Sequence, residues 1–466
     1  MNHFRPCDRE TPYLLPPSLD DWLPKNHLAR FVADIVDRLD LSALIGRYRG
    51  AGSAAYHPAM LLALLIYGYV TGTYSSRRIE QATYDSLAFR YIAGNTHPDH
   101  DTLCAFRKRF LKEIEALFVQ VLCIAKEMKL LKLGTVALDG TKIHANASRH
   151  SALSYGHAEK LEAQLHVEVA ELLARAEAAD AEPLPEGLNL PEELARREAR
   201  LQAIGEAKAE IEARAAERFA REQAEYEAKV KARQEQEART GQKPRGKPPA
   251  PPTPGPRAED QMNLTDPDSR IMPAAGGGFE QSYNAQAAVD TDTMLVVATG
   301  LTQAANDKQQ IAPMVETLGT LPEALGEVGE LLTDAGYFSE ANVATCVEAG
   351  IDPLIATGRE SHHLPWQGSQ GQGVALLGAP RMQRFGEPPP LGEAADAVER
   401  MRHRLKTRAG RASYGKRKQT VEPVFGIIKA GMRFRQFLLR GLEAVRGEWS
   451  LVTMAWNIRR MAVLKG

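Results

Sequence analysis

Apolar positions recur at helical spacing through most of the first 130 residues, in LARFVADIVDRLDL, MLLALLIYGYV and FLKEIEALFVQVLCIAKEM, with turn signals such as RGAGS and AGNTHPDHD between them. This pattern predicts short helices joined by tight turns. From residue 133 the pattern changes. LGTVALDGTKIHAN carries the unbroken apolar run Val136, Ala137, Leu138, which suits a strand covered on both faces, with Asp139 near its end. GFEQSYNAQAAVDTDTMLVVATGLT, at 278 to 301, predicts two strands around a turn at Asp290 to Asp292. A helix over DKQQIAPMVETLGTL follows, then a strand in VGELLTDAGYFS that ends at Asp334, a helix from about Ser339, and a short strand in DPLIATG. Together these make a mixed α/β layer. Gly, Pro and Gln crowd 366 to 395, which predicts a loop, and the last seventy residues are helical again. There Val445, Trp449, Val452 and Trp456 share one helical face, the mark of a core contact.

Between the first two strand patterns lies different material. Residues 158 to 240 are dominated by Ala, Glu, Arg, Lys and Gln, a strong helix-forming mixture with interleaved charges that predicts a solvated helical hairpin or coiled coil. It runs into GQKPRGKPPAPPTPGPR, a proline-rich linker that cannot be helical. The chain therefore divides into a helical domain over 1–130, an α/β core over 131–157 and 258–440, an insertion with its linker over 158–257, and a C-terminal helix over 441–466 packing on the core. A length of 466 residues suits such a multi-domain arrangement.

Cys7, Cys104, Cys123 and Cys346 are scattered, with no CxxC pair and no histidines at zinc-finger spacing, so they read as buried free thiols of a reducing cytosol. The start, MNHFRPCDRE, lacks the plan of a signal peptide, and the apolar run at 60 to 70 is too short to span a bilayer. The expectation is a soluble cytoplasmic protein with no membrane partner.

The formal net charge of -1 indicates no partner until the charges are located. Between 400 and 440 there are thirteen lysines and arginines and a single acid, Glu422. Such a segment repels itself unless something anionic neutralises it, and a phosphate backbone is the commonest candidate. Thr420 can cap a helix with Pro423 in its first turn, which would put Glu422 at a helix start. Val421, Val424, Phe425 and Ile428 then form the buried stripe, with Glu422 and Lys429 on the neighbouring face. A glutamate near a helix start is ordinarily a partner of the helix dipole. Here two strand-end aspartates accompany it. Asp139, Asp334 and Glu422 come from distant parts of the chain, and converging carboxylates are what a magnesium-dependent phosphoryl-transfer site needs, because hard divalent cations want oxygen ligands. Asp-Gly-Thr after an apolar strand also occurs in aspartate-nucleophile phosphatases, but Ala137 stands where their nucleophile would be.

LDGTKIHANAS, DPDSRIM, GFEQSYNAQAAVD, LLTDAGYFS and the segment from RKQTVEPVFGIIKAGMRF to WNIRRM, in that order, resemble the DDE transposases of bacterial insertion sequences, in the group with a helical N-terminal domain and an RNase H-like catalytic core. The resemblance covers most of the chain outside the insertion. It implies an α/β, RNase H-like mixed-sheet core with an all-α domain that binds transposon ends. It also implies that Asp139 bridges two Mg²⁺ ions, with Asp334 and Glu422 each holding one and Mn²⁺ as a possible substitute. The implied partners are double-stranded DNA, as transposon ends and target, and a second copy of the chain in the paired-end complex. Some members add Tyr, Arg and Lys around the glutamate. Lys429 fits that pattern, whereas Tyr414 and Arg417 lie one residue further from Glu422 than it expects.

The candidate DNA contacts are Arg77, Arg78, Lys416, Arg417, Lys418, Lys429, Arg433 and Arg435. TYSSRRIEQATYDSLAFRYIAG reads equally as part of a helix-turn-helix presenting Arg77 and Arg78 or as an ordinary bundle with solvated arginines. Asn284, Gln286 and Asp290 read as sheet-edge or turn residues, His144 as structural, Asp266 and Asp268 as a turn, and Tyr337 as packing. The functional expectation is a transposase that binds terminal inverted repeats and catalyses DNA cleavage and strand transfer, associated with the bacterial nucleoid. The alternative is a DNA-binding regulator that has lost catalysis.

Overall fold

The apolar run Val136, Ala137, Leu138 is wholly buried and lies in the middle of a sheet. The structure is a computed structural model describing residues 18–48, 55–178, 190–242, 246–274, 276–358, 387–392 and 394–466. It divides into two compact units, Met1–His144 with Tyr283–Gly466, and Ala145–Ser282.

In the first unit the sheet strands are β1 (Thr135–His144), β2 (Phe279–Asp290), β3 (Val296–Thr302), β4 (Glu330–Thr333) and β5 (Asp352–Ile355). Their order is β3-β2-β1-β4-β5, with β2 and β3 antiparallel and β1, β4 and β5 mutually parallel. This is a mixed sheet. The expected helices flank its strands as Ile311–Gly319 and Glu340–Glu348, the latter capped by Ser339, whose hydroxyl accepts from the Asn342 N–H. The first four residues of β2 belong to the second unit, where they pair with Arg270–Pro273.

The C-terminal helix Leu442–Lys465 holds this unit together. Val445, Trp449, Val452 and Trp456 are all buried, as their spacing predicts, and the helix packs on β3 and on the N-terminal helices Pro58–Thr71 and Leu111–Glu127. Burying each such side chain is worth about 1.5–3 kcal/mol. Its polar groups extend the sheet's own bonding: the Asn457 amide donates to Val296 O at 2.7 Å and accepts from Val296 N at 2.8 Å, and Trp449 Nε1 donates to Gln286 O at 2.9 Å. The N-terminal helices thus share one core with the sheet. No single helix among the described residues is long and apolar enough to cross a membrane.

The second unit contains the helices Tyr155–Ala178 and Leu190–Thr240. Ala158, Leu165, Ile204, Ala207 and Ile211 form their shared core with Leu153 and Met262, which come from the paired strands Ala152–Ser154 and Gln261–Asn263. Ion pairs line the seam, Arg197 with Glu168 at 2.9 Å and Lys208 with Glu162 at 2.7 Å. This is the helical hairpin that the composition predicts.

Three local expectations are corrected. β1 does not end near Asp139 but continues to His144, whose backbone N–H and carbonyl bond Arg435 O and Phe437 N. The helix around Glu422 does not begin at Thr420. It runs Arg408–Gly426 from an N-cap at Thr407, whose hydroxyl accepts from Gly410 N at 3.0 Å, so Pro423 is interior and Thr420 Oγ1 instead donates back to Lys416 O. Of the cysteines, Cys346 is buried while Cys104 and Cys123 are only partly so. Cys7 and most of the loop expected over 366–395 lie outside the described residues.

Candidate active site

Parallel pairing of β1 with β4 aligns Thr135 with Glu330, Val136 with Leu331 and Ala137 with Leu332. Asp139 and Asp334 each lie two residues past the last of these pairs. Since side chains two apart along a strand share a face, the register carries both carboxylates to one level of the sheet. The pairing of β1 with β4 ends just before the two acids, although β1 itself runs on to His144. Asp139 Oδ1 accepts from Gly140 N at 2.8 Å. Asp334 caps the single turn Ala335–Tyr337, its Oδ1 accepting from Gly336 N at 2.8 Å.

Glu422 is supplied by the helix Arg408–Gly426, which packs against β1. Val421, Val424, Phe425 and, just beyond the helix, Ile428 are buried, which fixes the opposite face outward. Arg417, five residues before Glu422, joins the acids: Nη1 donates to Asp139 Oδ2 at 3.2 Å and Nη2 to Glu422 Oε1 at 3.3 Å. Its side chain is 9% exposed against 50% for Glu422. Arg417 Nε is buried with no hydrogen-bond partner.

The Asp139 carboxyl is pushed up from its ordinary 3.8 to about 6, chiefly by burial. The Gly140 N–H and the Arg417 guanidinium pull it back, while the negative charges of Asp334 and Asp307 push it further up. Burial and like charge together make ionised Asp139 costly. A hard cation is the natural remedy for crowded carboxylate oxygens, so the donor chemistry fits Mg²⁺ or Mn²⁺. Among the described residues, however, no three His, Cys, Asp or Glu side chains form a ready-made metal-binding group, and the Arg417 guanidinium supplies the positive charge between Asp139 and Glu422.

Asp307 is the member that the sequence reading missed. It heads the segment DKQQIAPMVETLGTL, which the sequence predicts to be helical from Asp307 on, but the helix begins only at Ile311 and Asp307 stands between it and β3. Its Oδ1 accepts from Asn284 Nδ2 at 2.8 Å and Gln286 Nε2 at 2.6 Å. The available signal was the pair of polar residues, Asn284 and Gln286, on one face of β2. Both are buried, as is Tyr337, whose hydroxyl bonds Gln286. Asp290 accepts from Thr293 in the β2–β3 turn, His144 is exposed at the end of β1, and Asp266 and Asp268 belong to the second unit.

The basic candidates separate by environment. Lys418, Arg433 and Arg435 are exposed, as is Lys416, which pairs with Asp292 at 3.0 Å. Arg77 and Arg78 are exposed at the start of helix Ser76–Asp85, whose N-cap Ser75 makes no side-chain cap bond. Arg417 is buried on carboxylates. Lys429 is half-buried, donates to Lys142 O at 2.9 Å, and has its ammonium pKa lowered by burial.

Comparison with known families bears on both ends of the chain. Residues 17–109 match the family described as Transposase domain (DUF772), and residues 391–462 match the Transposase DDE domain. Comparison with curated proteins and with solved structures gave no match. The second match spans Arg417, Glu422, Lys429 and the C-terminal helix, the segment whose charge and whose carboxylate first pointed to DNA chemistry. Both matches are to transposase families, and together they support a DDE transposase of an insertion sequence.

Proposed function

We propose that this chain is the transposase that binds the terminal inverted repeats of its own element, cleaves there and joins the ends to target DNA by metal-dependent phosphoryl transfer. The observation that carries the reading is Asp139 and Asp334 at one level of adjacent parallel strands, with Glu422 tied to Asp139 through Arg417. The strand order and directions, β3-β2-β1-β4-β5 with two antiparallel strands beside three parallel ones, support an RNase H-like core.

In this reading Asp139, Asp334 and Glu422 hold two Mg²⁺ ions, or Mn²⁺ in their place. Such a pair, when bound, lowers the pKa of an attacking water or 3′-hydroxyl and neutralises the leaving oxygen. The chain's own side chains do the rest. Asp139 and Asp334 keep their orientation because the Gly140 and Gly336 N–H groups each hold one oxygen, and the other Asp139 oxygen accepts from Arg417. Arg417 holds Asp139 and Glu422 together before substrate arrives, and its planar fork also suits a phosphate. Lys416, Lys418, Arg433 and Arg435 steer and hold the backbone without reading its sequence, and Lys429 adds a contact closer to the carboxylates. Arg77 and Arg78 serve the end-binding helices. Two ends must be paired, which calls for a homodimer on DNA in the bacterial nucleoid, and the helical insertion is the element available for that pairing.

A cleavage assay on duplexes carrying the element's ends, with Mg²⁺, tests the reading. Asp139→Asn should lower the rate by about 10²–10³-fold or more, the scale of removing one electrostatic stabiliser from an active site. Equal activity in variant and wild type would overturn the site. End binding with no cleavage by either protein would favour a regulator that has lost catalysis.

A further inference from the structure

Three segments of the first unit meet at the side chain of Gln286. Gln286 Nε2 donates to Asp307 Oδ1 at 2.6 Å and to Asn284 Oδ1 at 3.2 Å, and its Oε1 accepts from the Tyr337 hydroxyl. The polarity of this chain is forced. An ionised carboxylate can only accept, so the amide NH₂ must face Asp307, the amide oxygen must face Tyr337, and the phenol must donate. Asn284 Nδ2 donates to the same Asp307 oxygen, so two amides converge on one anionic acceptor, the stronger kind of hydrogen bond.

Each end of the chain touches a candidate metal-holding acid. Tyr337 closes the turn that Asp334 caps. A second tie runs beside it, since Asn342 Nδ2 donates both to Tyr337 O at 2.6 Å and to Lys308 O at 2.7 Å. At the other end lies Gly140, next to Asp139: a Cβ there would overlap Gln286 Nε2 and fall 2.5 Å from Asp307 Oδ1. The β1 backbone therefore runs directly over the amide pair, with no room for a side chain between.

We propose that Asp307, acting through Gln286 and Tyr337, is a positioning residue that sets the separation of Asp139 and Asp334 so that the pair accepts a divalent cation. This rests on the reading of Asp139 and Asp334 as metal-holding carboxylates. Without Asp307, the Gln286 amide loses the anion that orients it, the phenol loses a fixed acceptor, and the Asp334 turn is free to shift against β1.

The test uses the full chain and two readouts: the rise in melting temperature on titrating Mg²⁺ or Mn²⁺ alone, and cleavage of an end-bearing duplex against metal concentration. Asp307→Ala, and more weakly Asp307→Asn, should need about 10–100-fold more metal in both, the usual scale for partners behind metal ligands. Tyr337→Phe, which cuts the same chain at its far end, should move the metal midpoint in the same direction. Metal-free melting of Asp307→Asn and its affinity for the duplex should stay near wild type. An unchanged metal midpoint in the Asp307 variants overturns the proposal, whether or not their melting temperature falls. Asp139→Asn separates the two ideas: if it responds to metal as wild type does, the site reading itself fails.

Discussion

Arg417 shows how far one residue's meaning depends on partners distant in sequence. In the sequence it is one of thirteen basic residues between 400 and 440 and reads as a phosphate contact. In the fold its guanidinium is buried and lies between Asp139 and Glu422. Breaking a buried ion pair from one side leaves an uncompensated charge, so Arg417→Ala should destabilise the metal-free protein by about 3 kcal/mol, read as a fall in denaturant midpoint. Added Mg²⁺ should recover part of that loss. A neutral substitution would mean that the guanidinium is not what offsets Asp139. Gly140 makes a second test. Gly140→Ala drives a methyl group into Gln286 and Asp307 and should cost about 1–3 kcal/mol by overpacking, with melting temperature as the measure. Asp139, Asp334 and Glu422 stand out in the sequence because each sits beside a strong local pattern. Asp307 does not, because its only signal is two polar side chains on another strand that turn inward to meet it.

At the scale of elements, hydrophobic pattern located the strands and helices well and located their ends poorly. The end of the apolar run predicts that β1 stops near Asp139. The strand continues to His144 because backbone pairing needs no apolar side chain: β1 keeps β2 as its sheet neighbour, and His144 at its end bonds Arg435 and Phe437. Thr420, with Pro423 three residues on, predicts a helix start just ahead of Glu422. Thr407 is the actual cap, and a proline inside the helix is tolerated where packing on β1 holds the remaining turns. Thr407→Ala should therefore cost about 0.5–2 kcal/mol, the usual range for losing an N-cap. Gly410 lies three residues on. A Cβ there would overlap the carbonyl oxygen of Arg404, at the join with helix Ala397–Lys406. Gly410→Ala should thus cost more than Thr407→Ala, and equal midpoints for the two variants in chemical denaturation would contradict this ordering.

Across the whole first unit, chain segments hundreds of residues apart are joined by a buried polar network that no local pattern announces. Glu448 lies in the C-terminal helix, within GEWSL, and is wholly buried. The Tyr69 hydroxyl donates to Glu448 Oε1 at 2.7 Å, and the N–H groups of Leu438 and Leu439 donate to Oε2 at 2.9 and 3.0 Å. Arg107, itself buried, donates to the Tyr69 hydroxyl at 3.3 Å and to Tyr74 O at 3.1 Å. The helices Pro58–Thr71, His100–Arg109 and Leu442–Lys465 are thereby locked to one another, which is why the N-terminal helices and the sheet share a core. Burial pushes the Glu448 carboxyl above its ordinary 4.5, against the pull of Tyr69, Leu439, Arg107 and Leu438. The folded state consequently binds this proton more tightly than the unfolded chain does. By linkage, the Glu448 contribution is fully present below about pH 4.5 and is lost as pH rises through the raised folded value. Glu448→Gln removes the titration while its amide can keep an oxygen on the two backbone N–H groups and offer its NH₂ to Tyr69. The stability of wild type minus that of Glu448→Gln should accordingly decline as pH rises from about 4.5 toward neutrality, measured by urea unfolding at each pH. Tyr69→Phe, which leaves one carboxylate oxygen unpartnered, should cost about 1–3 kcal/mol in the same measurements. A difference that grows with pH would mean that the Arg107 charge outweighs burial, and that the network holds an ion pair rather than a protonated acid.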